Sequence, residues 1–219
     1  PGSHDRAQAM TVHRDSMSDA GSTPSRIGSS SHRRGSDCGT LHQVQPPSTE
    51  KYPAPVQVRV VAGDLPVELA GQLREAGRVA VDTETTGLDW RSDSLELCQL
   101  FATSVGTVLV RIEGDAPQLR SLLEDDSVTK VFHFAPFDLR FLEAAIGART
   151  TPVVCTKAAS RLLNPGLPAT AHSLGSLLSR HFGVELDKGA VRTSDWGANE
   201  LTEAQTDYAV SDVASLLHL

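Results

Sequence analysis

Val79-Ala-Val-Asp-Thr-Glu-Thr-Thr-Gly-Leu88 is the stretch on which the fold turns. Gly77 stops the segment before it, Arg78 to Glu84 reads as a strand, and Thr85-Thr86-Gly87 ends that strand. Residues two apart on a strand project from one face, so Asp82 and Glu84 point together. Two like charges held that close repel each other, and a bound cation removes the cost. A bare pair of this kind is more often a strand end facing solvent. Val79-Ala-Val81 before it and Thr85-Thr86-Gly87-Leu88 after it make the pair more specific.

Working outward, Val56 to Val61 alternates and reads as a strand. Asp64-Leu-Pro-Val opens a helix, with Asp64 or Leu65 near its cap and Pro66 in its first turn. Leu95 to Thr103 and Thr107 to Ile112 are two further strands around a short turn, which makes an antiparallel meander of three. Helix and strand then alternate: helix over 117–123, strand over 129–134, helix over 136–145, a short strand at Val153-Val154, and helix over 156–163. Ser173 to Phe182 is a helix stopped by Gly183, and a last helix begins at Thr202 and runs to Leu219. Three antiparallel strands followed by βα units imply a mixed α/β sheet flanked by helices.

Residues 1–55 are poor in apolar side chains and rich in Ser, Gly, Pro and His. Such a segment cannot bury enough surface to offset its ordering entropy, so it is expected to be a disordered tail, a tag remnant (Pro1-Gly-Ser-His4) followed by a low-complexity extension. Residues 56–219 form the folded domain. They carry 14 Lys and Arg against 22 Asp and Glu, a formal charge of −8. That balance argues against gripping a long duplex through many phosphate contacts. It suits a short strand held beside cations that cancel carboxylate charge. Cys38, Cys98 and Cys155 are scattered and lack CxxC spacing, which argues against a disulfide framework and a zinc site. No apolar run is long enough to span a bilayer, and the expectation is a soluble cytoplasmic protein.

Two more motifs follow in chain order. Asp138 falls in the first turn of the helix after Lys130-Val-Phe-His-Phe134, where an acid alone would be read as complementing the helix dipole. Tyr208 and Asp212 lie four apart on a helix and share a face. By itself that pair reads as a core tyrosine beside a surface acid. Trp196 is either a base-stacking ring or a buried structural one, and Lys188 and Arg192 are either phosphate contacts or solvated cations. Lys157 has no role readable from sequence.

Taken together, Asp82-x-Glu84, Asp138 and Tyr208-x-x-x-Asp212 resemble the motifs of the DEDDy 3′→5′ exonucleases, the branch that contains RNase D and proofreading domains. Gly63-Asp-Leu-Pro66, Phe132-His-Phe134 and Cys155-Thr-Lys157 are similar to the nano-RNase C, or oligoribonuclease-like, group within it. The resemblance covers residues 56–219. It implies an RNase H-like fold and a hydrolase that releases nucleoside 5′-monophosphates from RNA 3′ ends, short oligoribonucleotides above all. It also implies two divalent cations, Mg²⁺ or Mn²⁺, about 3.5–4 Å apart. Asp82, Glu84, Asp138 and Asp212 would be their ligands, and Tyr208 would orient the attacking water. Thr85, Thr86, Leu88 and His133 would contact substrate, with Leu88 wedged against a base, and a homo-oligomer is a further implication. Two enzyme alternatives stay open, RNase D-like processing of longer structured RNA and cleavage of single-stranded DNA. A third reading from another class is an inactive nucleic-acid-binding module.

Overall fold

The computed structural model describes residues 57–185, 191, 194–198 and 200–219. The expectation for residues 1–55 lies outside them. Six strands form one sheet, β1 (Val58–Ala62), β2 (Arg78–Thr85), β3 (Leu95–Ala102), β4 (Gly106–Arg111), β5 (Thr129–Phe132) and β6 (Val153–Cys155). Their order across the sheet is β1-β4-β3-β2-β5-β6. β2, β3 and β4 are the antiparallel meander, and β5 and β6 extend the sheet in parallel beside β2. The helices are α1 (Val67–Glu75), α2 (Pro117–Leu123), α3 (Pro136–Ile146), α4 (Thr156–Leu163), α5 (Leu174–Phe182) and α6 (Glu203–Ala214).

Because side chains alternate along a strand, β2 serves two layers. Val79 and Val81 are fully buried in the main core with Leu73, Leu119, Leu122 and Phe141, which come from α1, α2 and α3. Ala80 faces the other way and packs with Leu178 of α5, and with Val213 and Leu216 at the α6 end. On that same side Leu97 and Leu109 meet Trp196 and Ala209. The mixed sheet covered by helices on both faces is the RNase H-like arrangement expected from the sequence.

Three details differ from the sequence reading. Asp64 does not cap α1, whose N-cap position is Pro66. Its carboxylate instead accepts the Gln118 and Leu119 N–H groups at 2.8 and 2.9 Å, so it satisfies the start of α2, 54 residues away in sequence. β1 pairs in parallel with β4, a partner that alternation alone could not name. The last helix ends at Ala214, and a 3-10 turn over Leu216–His218 follows.

Candidate active site

Asp82 and Glu84 occupy the carboxyl end of β2, where Asp82 stands opposite Gln99 and Glu84 opposite Leu97 of β3. Gln99 is fully buried, and its Nε2 reaches Glu84 Oε1 at 3.4 Å. Its Oε1 is buried with no hydrogen-bond partner among the described residues. Gln99 was not singled out from sequence. The signal available was one amide inside the apolar run Leu95-Glu-Leu-Cys-Gln-Leu-Phe101.

The α6 side is fixed by a capping box. Thr202 Oγ1 accepts from Gln205 N, and the Gln205 side chain accepts from Thr202 N. The Gln205 amide also donates to Ser194 Oγ and to the Asp195 carbonyl, both at 3.0 Å. This ties down the segment bearing Trp196, which is buried with its ring 6.0 Å from that of Tyr208. Trp196 is therefore a packing residue behind the tyrosine rather than a stacking platform. Tyr208 is half-buried and Asp212 is buried, one turn apart on the face directed at β2, β3 and β4. Burial first, and then Asp212 as a charge and hydrogen-bond partner, push the Tyr208 hydroxyl well above the usual phenol range. Glu84 and Asp82 add to that push. Tyr208 thus stays protonated at any ordinary pH and can donate a hydrogen bond.

Asp138 arrives from the opposite layer. It is buried in the first turn of α3 and accepts a 2.7 Å hydrogen bond from Thr83 Oγ1, the residue between Asp82 and Glu84 on the other face of β2. Burial raises its carboxyl to about 7, against the opposing effect of the Thr83 bonds. Helix-dipole complementation alone would not need this buried contact.

The charges meet at Asp82. Asp82 is half-buried as a residue, and burial of its carboxyl and the neighbouring Asp138, Asp212 and Glu84 carboxylates, in that order, hold it well above the usual range. Asp138 and Asp82 also lift the thiol of Cys98, whose first cause is burial, so that cysteine is inert. Four acids from β2, α3 and α6 therefore share one electrostatic neighbourhood. Among the described residues no three His, Cys, Asp or Glu groups are drawn together tightly enough to hold an ion as they stand. The donor chemistry still fits a hard divalent cation, because every group is a carboxylate oxygen and their mutual repulsion is the cost a cation would remove.

The expected substrate contacts divide. Leu88 is 84% exposed at the tip of the β2–β3 loop. Thr85 Oγ1 donates to the Gly87 carbonyl at 2.6 Å, and Thr86 Oγ1 accepts from Ser94 N at 2.9 Å. Both hydroxyls are engaged in folding the loop that presents Leu88. Nearby, a Cβ on Gly87 would fall 2.3 Å from the Asp93 carboxylate, so the loop admits only glycine there without moving Asp93. His133 is half-buried, with Nδ1 2.8 Å from Thr156 Oγ1. Lys188 and Arg192 lie outside the described residues.

A family model described as 3′-5′ exonuclease matches residues 59–219. Ribonuclease D of Escherichia coli (strain K12) is 32% identical over 162 residues, which are 72% of this chain and 41% of that protein. Ribonuclease D of Cronobacter turicensis is 31% identical over 159 residues, 72% of this chain and 42% of that protein. The chain thus spans under half the length of these relatives. Among solved structures, Brucella melitensis NrnC bound to pGG is 36% identical at a TM-score of 0.67, covering 75% of this chain and 78% of that one. Escherichia coli RNase D, described as an exoribonuclease involved in structured RNA processing, is 28% identical at a TM-score of 0.61. It covers 73% of this chain and 43% of that chain.

Proposed function

The chain belongs to the 3′-5′ exonuclease family, in its RNase D-like branch with NrnC, and on that premise we propose that it removes nucleoside 5′-monophosphates from the 3′ ends of short RNAs. The observation that carries the reading is the electrostatic convergence of Asp138, Asp212 and Glu84 on Asp82, with Tyr208 on the same helix face as Asp212. A pair of acids has many explanations. Four mutually repelling carboxylates beside a hydrogen-bond donor suit a site that handles phosphate with the help of cations.

Asp82, Glu84, Asp138 and Asp212 would hold one or two divalent cations, Mg²⁺ or Mn²⁺. When bound, the cations would activate water and offset charge on the leaving oxygen. The remaining work belongs to the chain. The Tyr208 hydroxyl positions the attacking water, Glu84 is oriented by the Gln99 amide, and Thr83 holds Asp138 in place. Leu88 presses on a base from its loop, and His133 is set by Thr156 at the same end of the sheet.

Short RNA is preferred for two reasons. The folded part is acidic, which disfavours long tracts of phosphate contacts. NrnC, a relative covered over most of its length, has been solved with pGG. A second reading, action on longer structured RNA, takes its support from the RNase D likeness. Single-stranded DNA is the remaining alternative substrate. Self-association goes with the same reading, because Leu162 and Leu163 of α4 are 82% and 80% exposed beside the sheet edge at β6. No helix among the described residues is long and apolar enough to cross a membrane. A cytoplasmic activity is proposed on the likeness to bacterial Ribonuclease D.

The test is product analysis on 5′-labelled RNAs of increasing length and on single-stranded DNA, with Mg²⁺ and with EDTA. Stepwise shortening from the 3′ end, fastest on the shortest RNAs and abolished by EDTA, is expected. Absence of shortening on every substrate would leave the inactive binding module as the reading.

A further inference from the structure

Leu88 stands 84% exposed on the β2–β3 loop, yet the residues on both sides of it rest on one carboxylate. On one side the Asp89 N–H donates to Asp93 Oδ2 at 2.8 Å. On the other, Gly87 packs so closely that an added Cβ would lie 2.3 Å from the same oxygen. The φ of Gly87 is outside the left-handed region, so glycine is required there for space and not for conformation. The Asp93 N–H in turn donates to the Asp89 carbonyl at 2.8 Å, which makes the grip reciprocal.

The rest of the loop is anchored independently. Its neck is closed by the Thr86 N–H donating to the Ser94 carbonyl at 3.0 Å and the Ser94 N–H donating to Thr86 Oγ1 at 2.9 Å. Trp90 packs against the main core. At the start of the loop the β2–β3 register shifts between Glu84 and Thr85. Such an irregularity bends a strand away from its partner. Here it leaves Leu88 four residues beyond Glu84, a carboxylate of the acidic centre. The framework does not bury Leu88, so core packing does not account for it.

We propose that Asp93 is a positioning residue for the exonuclease reaction, its carboxylate latching Gly87 and Asp89 so that Leu88 is held in the conformation that meets a base. This rests on the exonuclease reading for the base and deepens it by naming the group that sets the contact. A side chain whose loop must be ordered when substrate arrives gives up that ordering entropy from the binding free energy, and one held beforehand does not. A fixed Leu88 also keeps the bound nucleotide aligned for reaction at the acids of β2. Asp93 itself need touch neither substrate nor cation.

The experiment measures kcat/KM for shortening of a trinucleotide RNA with Mg²⁺ in a double-mutant cycle, together with hydrogen exchange of the Asp89 amide in the free protein. Asp93→Ala should lower kcat/KM about 5- to 30-fold. Asp93→Asn keeps an oxygen for the Asp89 N–H and should stay within about threefold of the parent. Gly87→Ala, whose methyl displaces the carboxylate, should reproduce the loss with Asp93 intact. In a Leu88→Ala background, Asp93→Ala should cost less than about a further twofold, because the side chain being positioned is gone. A merely structural defect would lower activity equally in both backgrounds. Thermal midpoints within a few degrees of the parent certify folding, and Gly87→Ala carries the same cycle should Asp93→Ala not fold. Exchange of the Asp89 amide should quicken about tenfold or more in Asp93→Ala and not in Asp93→Asn. Equal losses with and without Leu88, or unchanged activity in both Asp93→Ala and Gly87→Ala, overturn the latch. Failure of the unsubstituted protein to shorten any RNA overturns the exonuclease reading instead. The exchange rates then decide whether Asp93 holds the loop, and equal rates in parent and Asp93→Ala overturn that too.

Discussion

The two ends of the central sheet both bury charge, and they treat it in opposite ways. Near the amino end of β5, Lys130 is wholly buried, with its ammonium donating to the Asp125 carbonyl at 2.7 Å and to the Thr151 carbonyl. Burial pushes its pKa down, but two backbone acceptors and the nearby Asp125 and Asp126 hold the charged form in place. At the carboxyl end of β2, Asp82 receives three like charges and is pushed up by burial and repulsion together. One end surrounds its charge with acceptors and opposite charges, and the other gathers like charges around Asp82. A fold can hold buried charge when partners are built in, and it leaves partners out where a ligand supplies them.

The largest expected break in that contrast is Asp82→Asn. It should lower turnover by 1,000-fold or more, on the order of 4 kcal/mol of lost transition-state stabilisation. It should keep or raise the thermal midpoint without cation, since it removes a repelled charge. Undiminished mononucleotide release by this variant would refute the site assignment.

Lys130→Ala should do the reverse. Removing the ammonium leaves buried carbonyls unpaired and a cavity, with an expected loss of about 2–4 kcal/mol. Chemical denaturation measures it, and the kcat per folded molecule should stay close to that of the parent. A stability loss below about 0.5 kcal/mol would mean that the buried lysine is not the anchor described.

The third test uses pH. The Asp138 carboxyl is raised to about 7 in the folded chain and is near its ordinary value when unfolded. The native state therefore binds the extra proton between about pH 4 and 7, and stability without cation falls as pH rises through that window. Scanning calorimetry in EDTA should show a midpoint lower by about 5 °C or more at pH 8 than at pH 5. Added Mg²⁺ should recover it at pH 8 far more than at pH 5. A flat profile would contradict the raised carboxyl.

Gln99→Leu should have the smallest effect. The variant removes the amide that reaches Glu84, and a loss of about 3- to 10-fold in kcat with little change in KM is expected from steady-state kinetics. A change confined to KM would assign Gln99 to substrate binding instead.

How much of this could be read from the chain follows from which interactions are local. The β2 strand, its two acids and its stop were legible because alternation and the Gly residues act over a few positions. Tyr208 and Asp212 were legible because helical spacing sets a shared face, and the Thr202 start of α6 because its cap partner is three residues away. The partner of each face was not legible. Asp64 stabilises α2 rather than the helix it precedes, and Asp138 is held by Thr83 across 55 residues. Periodicity tells which side chains share a face and never what lies against it. Gln99 was missed for the same reason, since its meaning depends on the register of the neighbouring strand.

The most direct test of the account is calorimetric titration of Mg²⁺ or Mn²⁺ into the metal-free protein near pH 6.5, in buffers of different ionisation enthalpy. Saturable binding with proton release is predicted, because cations displace protons from the Asp138 carboxyl, raised to about 7, and from the Asp82 carboxyl, held well above its usual range, and both should vanish in Asp82→Asn. Equal binding by that variant, or none by the unsubstituted protein, would contradict the claim that this end of the sheet is built to be completed by a cation.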